Sequence, residues 1–217
     1  MPTATTSTLG FPTAGTELEG DLHLPAGAHG VVLFAHGSGS SRHSPRNRHV
    51  AGALNKRGLG TLLVDLLTHE EEVSEVQTHQ LRFDIGLLAD RLTGLVDRLG
   101  ERPDTRTLPV GLFGASTGAA AALVAAAERP DEVHAVVSRG GRPDLAGPAL
   151  PQVEAPTLLI VGERDLPVVE LNEQARDTMT GTAELRIVPG ATHLFEEPHA
   201  LEIVAEEAGT WFATHLR

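Results

Sequence analysis

Hydrophobic positions along this chain follow two rhythms. Short, almost unbroken apolar runs read as buried strands, and longer stretches with apolar residues three and four apart read as helices. Residues 30–35 (GVVLFA) and 61–67 (TLLVDLL) are of the first kind, the pattern of strands covered on both faces of a parallel sheet. Residues 16–24 alternate instead, with Leu18, Gly20, Leu22 and Leu24 on one face, as a half-exposed strand does. Helical rhythm predicts a helix over 45–57, with Val50, Ala53 and Leu54 on one face. It predicts a stronger one over 83–99, where Ile85, Leu88, Leu92, Leu95, Val96 and Leu99 form a stripe ahead of Gly100. The alternation repeats: a strand at 110–115, a helix at 117–128 ended near Pro130, and strands at 133–138 and 157–162. A helix at 168–179, a strand at 183–188 and a final amphipathic helix at 196–215, carrying Leu201, Val204, Ala208, Trp211 and Phe212, complete it. Such an order predicts an α/β fold, with a mostly parallel central sheet and helices on both faces. No internal repeat interrupts it, and the Pro/Gly-rich stretch 140–156 is too short to divide the chain, so residues 1–217 read as one domain.

Composition narrows the function classes. With 217 residues the chain can bury a sizeable core without staples, and with six Phe, one Trp and no Tyr that core rests on Leu, Val, Ile and Ala. A net charge of −12 argues against a nucleic-acid partner, whose phosphates it would repel. The absence of cysteine removes disulfides, thiolate metal sites and a Cys nucleophile. Residues 1–10 are small and polar, without the basic and apolar regions of a leader, so no signal peptide is expected. No apolar run approaches the ~20 residues that cross a bilayer, and the expected location is cytoplasmic, with no membrane partner.

Candidate chemistry gathers at the carboxyl ends of the predicted strands, where open parallel sheets place their sites. Gly114-Ala115-Ser116-Thr117-Gly118 lies between the strand 110–115 and the alanine-rich helix. A nucleophile on so sharp a strand-to-helix turn needs small neighbours two residues away, and G-x-S-x-G supplies them around Ser116. The helix would aim its positive end at a developing oxyanion. The five-residue pattern alone is also that of an ordinary glycine-rich turn. His193, in Gly190-Ala191-Thr192-His193 after the strand 183–188, is the candidate general base, although any one of eleven histidines could be a surface residue. Asp165, in Gly162-Glu163-Arg164-Asp165 after the strand 157–162, is the candidate carboxylate to orient it, with Glu163 and Asp144 as competitors. The order Ser, Asp, His, each after a separate strand, is far more specific than any single motif. His36-Gly37-Ser38-Gly39 follows the strand 30–35, and its glycines would let backbone N–H groups face a reacting carbonyl. Ser38 N–H and Thr117 N–H are the candidate oxyanion hole, and His36 reads as a structural histidine beneath the loop.

On these motifs the chain resembles the α/β-hydrolases, and among them the small dienelactone-hydrolase-like group. The match runs through H-G-S-G at His36, G-A-S-T-G at Ser116, G-E-R-D ending at Asp165 and G-A-T-H ending at His193. The resemblance implies an α/β-hydrolase fold and a serine-type hydrolase of esters or related acyl compounds that needs no cofactor. It departs from the dienelactone hydrolases proper, which carry cysteine where Ser116 stands. Only 17 residues separate Ser138 from Pro156, leaving no room there for a large cap domain. The site should therefore be open unless residues 68–80 cover it.

The expected function is thus hydrolysis of a small-molecule carboxylic ester through an acyl-enzyme on Ser116, with thioesterase or lactone hydrolase as variants. A non-catalytic binding protein on the same fold is the alternative of another class. Arg42, Arg46 and Arg139 lie in loops at the same sheet edge, where they either pair with nearby acids or receive an anionic group of the substrate. His69-Glu70-Glu71-Glu72 lacks the second histidine of H-E-x-x-H and reads as a solvated loop, and no metal is expected.

Overall fold

The computed structural model describes residues 5–13 and 15–217. Among these described residues eight strands form one sheet: β1 (Thr5–Thr13), β2 (Thr16–Leu24), β3 (Val31–Ala35), β4 (Gly60–Val64), β5 (Val110–Ala115), β6 (Val133–Arg139), β7 (Thr157–Gly162) and β8 (Ala183–Val188). Their order is β1-β2-β4-β3-β5-β6-β7-β8. β1 and β2, and β2 and β4, pair antiparallel, and every other pair is parallel. Every residue of β3, β4 and β5 is buried, as their unbroken apolar runs require of strands covered on both faces.

Among the described residues six α-helices cover the sheet: α1 (Pro45–Lys56), α2 (His69–Thr78), α3 (Ile85–Glu101), α4 (Thr117–Glu128), α5 (Leu166–Thr178) and α6 (Ala200–His215). One core packs Leu33, Leu62 and Leu112 against Leu92 and Leu95 of α3 and the alanines of α4. The other packs Phe34, Phe113 and Val137 against Val50 and Leu54 of α1 and Val204 and Phe212 of α6. Phe34 and Phe113, on neighbouring strands, stack with ring centroids 4.8 Å apart. Among the described residues there is no large cap: the stretch after β6 holds only a 3₁₀ segment, Pro143–Gln152, kinked at Gly147.

Three features depart from the hydrophobic reading. Part of the polar start of the chain is β1, an edge strand whose outer face carries Thr6 and Thr8 and whose inner face carries Ser7, Leu9 and Phe11. It is held by full antiparallel pairing from Thr5↔Leu24 to Thr13↔Thr16. Residues 1–4, where the reading of the leader began, lie outside the described residues. The segment read as a solvated glutamate loop is α2. Thr68 Oγ1 accepts from Glu71 N–H while the Glu71 carboxylate accepts from Thr68 N–H, a reciprocal cap that satisfies two free donors of the first turn. Arg91, almost fully buried on α3, grips Glu71 with both terminal nitrogens at 2.6 and 2.7 Å and ties α2 to α3. The last helix begins at Ala200 rather than at 196. Residues 192–199 form a loop in which Phe195 and His199 take positive φ (55° and 66°) and Glu197 accepts from Thr192 N–H and Oγ1.

Candidate active site

Ser116 sits between β5 and α4 with φ 51° and ψ −121°. A non-glycine residue there carries strain of about 1–3 kcal/mol, which must be held by its surroundings. They do hold it: Ser116 N–H donates to Arg139 O at 3.3 Å, and Ser116 O accepts from Arg142 N–H at 3.1 Å. The tight turn leaves no room for side chains at its flanks. A Cβ at Gly114 would run into the backbone of Ala119, and one at Gly118 into the carbonyl oxygens of Ala35 and His36. The G-x-S-x-G glycines are thus required by close packing between the helix and the strands beside it, which the alanines of α4 extend.

His193 and Asp165 come together from separate loops after β8 and β7. His193 Nδ1 lies 2.6 Å from Asp165 Oδ2, with the Asp165 side chain largely buried and the imidazole partly exposed. The competing acids are engaged elsewhere: Glu163 accepts from Gly190 N–H at 2.7 Å, and Asp144 pairs with Arg142 at 2.7 Å. Residues 139 and 140 are flanked by Ser116 on one side and His193 on the other. Arg139 O receives the serine's amide, and a Cβ at Gly140 would lie 3.6 Å from His193 Cε1. His193 and Asp165 are thus in direct contact, and Ser116 lies near them across residues 139 and 140 at the carboxyl ends of β5 and β6, with no hydrogen bond from Ser116 Oγ to His193 among the described residues.

The loop after β3 packs against the same turn. A Cβ at Gly37 would come within 3.0 Å of Ser116 Cβ, and Ser38 Oγ lies 3.2 Å from Thr117 Oγ1. Thr117 is the first residue of α4, so its N–H has no acceptor within its own helix. His36 is buried below. Its Nε2 accepts from Leu66 N–H at 3.0 Å and its Nδ1 faces Gly37 O at 3.0 Å, the arrangement of a neutral imidazole protonated on Nδ1. Burial holds its pKa below the ordinary histidine value. His36 thus joins the Ser38 loop to the end of β4.

A cavity of about 580 Å³ opens beside Ser38 and Thr117. Leu66, Leu67 and Leu88 give it an apolar floor, Arg46 borders it from α1, and Glu72 and Val76 border it from α2. The segment 68–80 is therefore a wall of the cavity. The hydrophobic rhythm missed this wall, although Thr68-x-x-Glu71 carried the signature of a capping box.

The three arginines separate. Arg42 is held by Asp65 and Glu19 and donates its backbone N–H to Asp65 as well. Both of its terminal guanidinium nitrogens are taken by acids, while its Nε, 3.8 Å from Asp21, is buried without a hydrogen-bond partner. Arg46 pairs with Glu196 at 3.2 Å. Arg139 is 8 % exposed and makes no ion pair among the described residues. Its Nε and Nη1 are buried without a hydrogen-bond partner. Burial, with the Arg46 charge beside it, lowers its pKa to about 10, so it remains cationic at neutral pH.

Among proteins of known name, the chain is 59 % identical over 197 residues to a Mycobacterium tuberculosis protein provisionally named a phosphoribosyl transferase. The match covers 91 % of this chain and 44 % of that protein, so the chain spans less than half the length of this relative. Among solved structures, it is 58 % identical to a dienelactone hydrolase from Anabaena variabilis, with a TM-score of 0.97 and full coverage of both chains. An esterase from Pyrococcus furiosus shares the fold at 18 % identity, with a TM-score of 0.77 over 99 % of this chain and 92 % of its own. The sequence profile of the alpha/beta hydrolase domain matches residues 28–213. With that match, this strand order and the likeness to a dienelactone hydrolase along the whole chain, the protein belongs to the α/β-hydrolase family as a dienelactone-hydrolase-like member.

Proposed function

We propose that the protein is a serine hydrolase that cleaves carboxylic esters through a covalent intermediate on Ser116. The observation that carries this reading is the His193–Asp165 pair at 2.6 Å beside a serine held at φ 51° on its turn. In the proposed reaction Ser116 Oγ attacks the ester carbonyl while His193 Nε2 takes the hydroxyl proton. Asp165 keeps Nδ1 protonated and stabilises the imidazolium. Ser38 N–H and Thr117 N–H donate to the oxyanion of the tetrahedral intermediate, where donors already in place need no reorganisation. His193 returns the proton to the departing alcohol, and water then enters by the same route to release the acid. No cofactor takes part in these steps. Thioesters and lactones present the same carbonyl to the same groups and are variants of this reading. The dienelactone hydrolase relative favours the lactone variant.

The transferase name of the Mycobacterium tuberculosis relative is not carried over. The matched region is the one that holds the hydrolase turn and the histidine–carboxylate pair, while more than half of that protein lies outside the match. A binding protein on a hydrolase fold is the reading of another class. Treatment with a fluorophosphonate separates the two, since only an activated serine displaces fluoride from phosphorus. The expected result is a single adduct on the peptide carrying Ser116. An unlabelled folded protein would favour the binding module.

A further inference from the structure

The cavity at the end of the sheet is one-sided. Ser38 and Thr117, which carry the candidate oxyanion donors, line it, whereas Ser116, Asp165 and His193 do not. A substituent lying in it is therefore on the donor side of the reacting carbon, away from the imidazole. That position decides which half of an ester it can hold. In the proposed intermediate the tetrahedral carbon bears Ser116 Oγ, the oxyanion, the leaving oxygen and the acyl chain. The leaving oxygen has to lie within hydrogen-bond reach of His193 Nε2 to take its proton. The oxyanion occupies the two donors. The acyl chain is the substituent left to enter the cavity.

The lining suits a chain of that kind. Leu66, Leu67 and Leu88 are buried beneath the cavity, and its volume of about 580 Å³ is in the range of small-molecule pockets. Val76 of α2 lines it while remaining 72 % exposed, apolar surface that an acyl chain would cover. The cations of the wall are already paired, Arg82 with Glu75 and Arg46 with Glu196, and Glu72 adds a negative charge that disfavours an acidic chain.

The wall owes its position to Arg91. Among the described residues of α2, Glu75 alone is buried, so the helix has little apolar packing to fix it. Arg91 supplies the hold: its two terminal nitrogens donate to Glu71 of α2, and one of them also donates to Leu66 O in the cavity floor. Leu66 in turn gives its N–H to His36 Nε2 at 3.0 Å, beneath the Ser38 loop. Wall, floor and oxyanion loop are thus joined through Leu66 by one set of hydrogen bonds. A two-pronged arginine–carboxylate pair also fixes orientation, which a single contact would not.

We propose that this cavity is the acyl pocket of the enzyme, that it takes a neutral apolar chain, and that α2, clamped through Glu71 and Arg91, is the wall that sets the chain length. This deepens the hydrolase reading above and rests on it. Arg91 and Glu71 are positioning residues, acting on the wall and floor rather than on the substrate. The alcohol departs on the side of the partly exposed His193 and contributes little to selection.

Two ester series test this. In the first, p-nitrophenol is constant and the acyl chain lengthens from acetyl to octanoyl. In the second, acetyl is constant and an alkyl chain lengthens at the 4-position of a phenol, where it barely alters leaving-group reactivity. Wild-type kcat/KM should rise about two- to fourfold per methylene along the first series until the pocket is full, and by less than about twofold in all along the second. Val76→Asp puts a charge on an exposed position of the wall, where the fold tolerates it. Its hexanoyl-to-acetyl ratio should fall at least about tenfold, chiefly through KM. Glu71→Gln weakens the clamp and should lower the same ratio without changing the ratios along the second series, whereas a general loss of structure would lower both series together. A flat acyl series, a rise as steep along the alcohol series, or a wild-type ratio in Val76→Asp would overturn the acyl pocket and leave the hydrolase reading intact. A wild-type ratio in Glu71→Gln would overturn the clamp. Failure to hydrolyse any ester, with no fluorophosphonate adduct at Ser116, would remove the hydrolase reading itself.

Discussion

Replacing Ser116 with alanine will lower turnover of a small activated ester by about a thousandfold or more, with the fold retained. The magnitude follows from what the residue does in the proposed reaction. Without Oγ no acyl-enzyme forms, and what remains is water attack assisted by the oxyanion donors and by binding. Retention of fold follows from the local geometry. Ser116 contributes its strain and three backbone bonds, to Arg139 and from Ala119 and Arg142, and alanine keeps all three. Alanine at φ 51° is strained as serine is, so stability measured by thermal unfolding should change little. Steady-state rates on p-nitrophenyl acetate, beside a thermal melt of the same preparation, check both halves. Wild-type turnover in a folded Ser116→Ala protein would remove the nucleophile from the account.

The second large effect belongs to Asp165. Asp165→Asn should lower turnover by about 10³- to 10⁴-fold while leaving the His193 loop in place. The asparagine amide can present either end to His193 Nδ1. If the NH₂ end donates to Nδ1, the ring proton is forced onto Nε2, and that nitrogen can no longer accept from serine. If the carbonyl end accepts from Nδ1, the tautomer is right but the negative charge that stabilises imidazolium is gone. The loop itself is fixed elsewhere, by Thr192 on Glu197 and by Glu163 on Gly190, so the loss should be catalytic rather than structural. A matched Glu163→Gln variant is the comparison. Glu163 lies two residues from Asp165 but bonds a backbone amide rather than the histidine, so its loss should cost far less turnover. Equal losses in the two variants would mean that the wrong acid has been chosen.

How legible these features were in the amino-acid sequence depended on the range of the interactions behind them. The buried strands were plain, because a strand covered on both faces has no choice but to be apolar throughout, as β3 and β5 are. β1 was not, because an edge strand needs only one inward face, and its threonines and serine look like a polar tail until β2 pairs with them. α2 was hidden by its own glutamates. Its helical character comes from the Thr68–Glu71 cap and from the grip of Arg91 twenty residues away, not from a hydrophobic stripe. The Ser116 turn was legible because its glycines are forced by local packing. The choice between Asp165 and Glu163 was not. It depends on which loops the sheet brings together, and acids look alike until their partners are placed. The cavity wall of α2 was likewise a tertiary property.

The central claim, that Ser116 is acylated, is tested most directly by trapping. Wild-type protein is mixed with p-nitrophenyl acetate, quenched in acid within the first turnovers, digested and examined by mass spectrometry. The account predicts a mass gain of one acetyl group on the peptide carrying Ser116, formed in a burst with nitrophenol release and lost at the rate of steady-state turnover. Steady hydrolysis with no acetyl group on Ser116 at any time, or with acetyl carried through turnover by another residue, would contradict it.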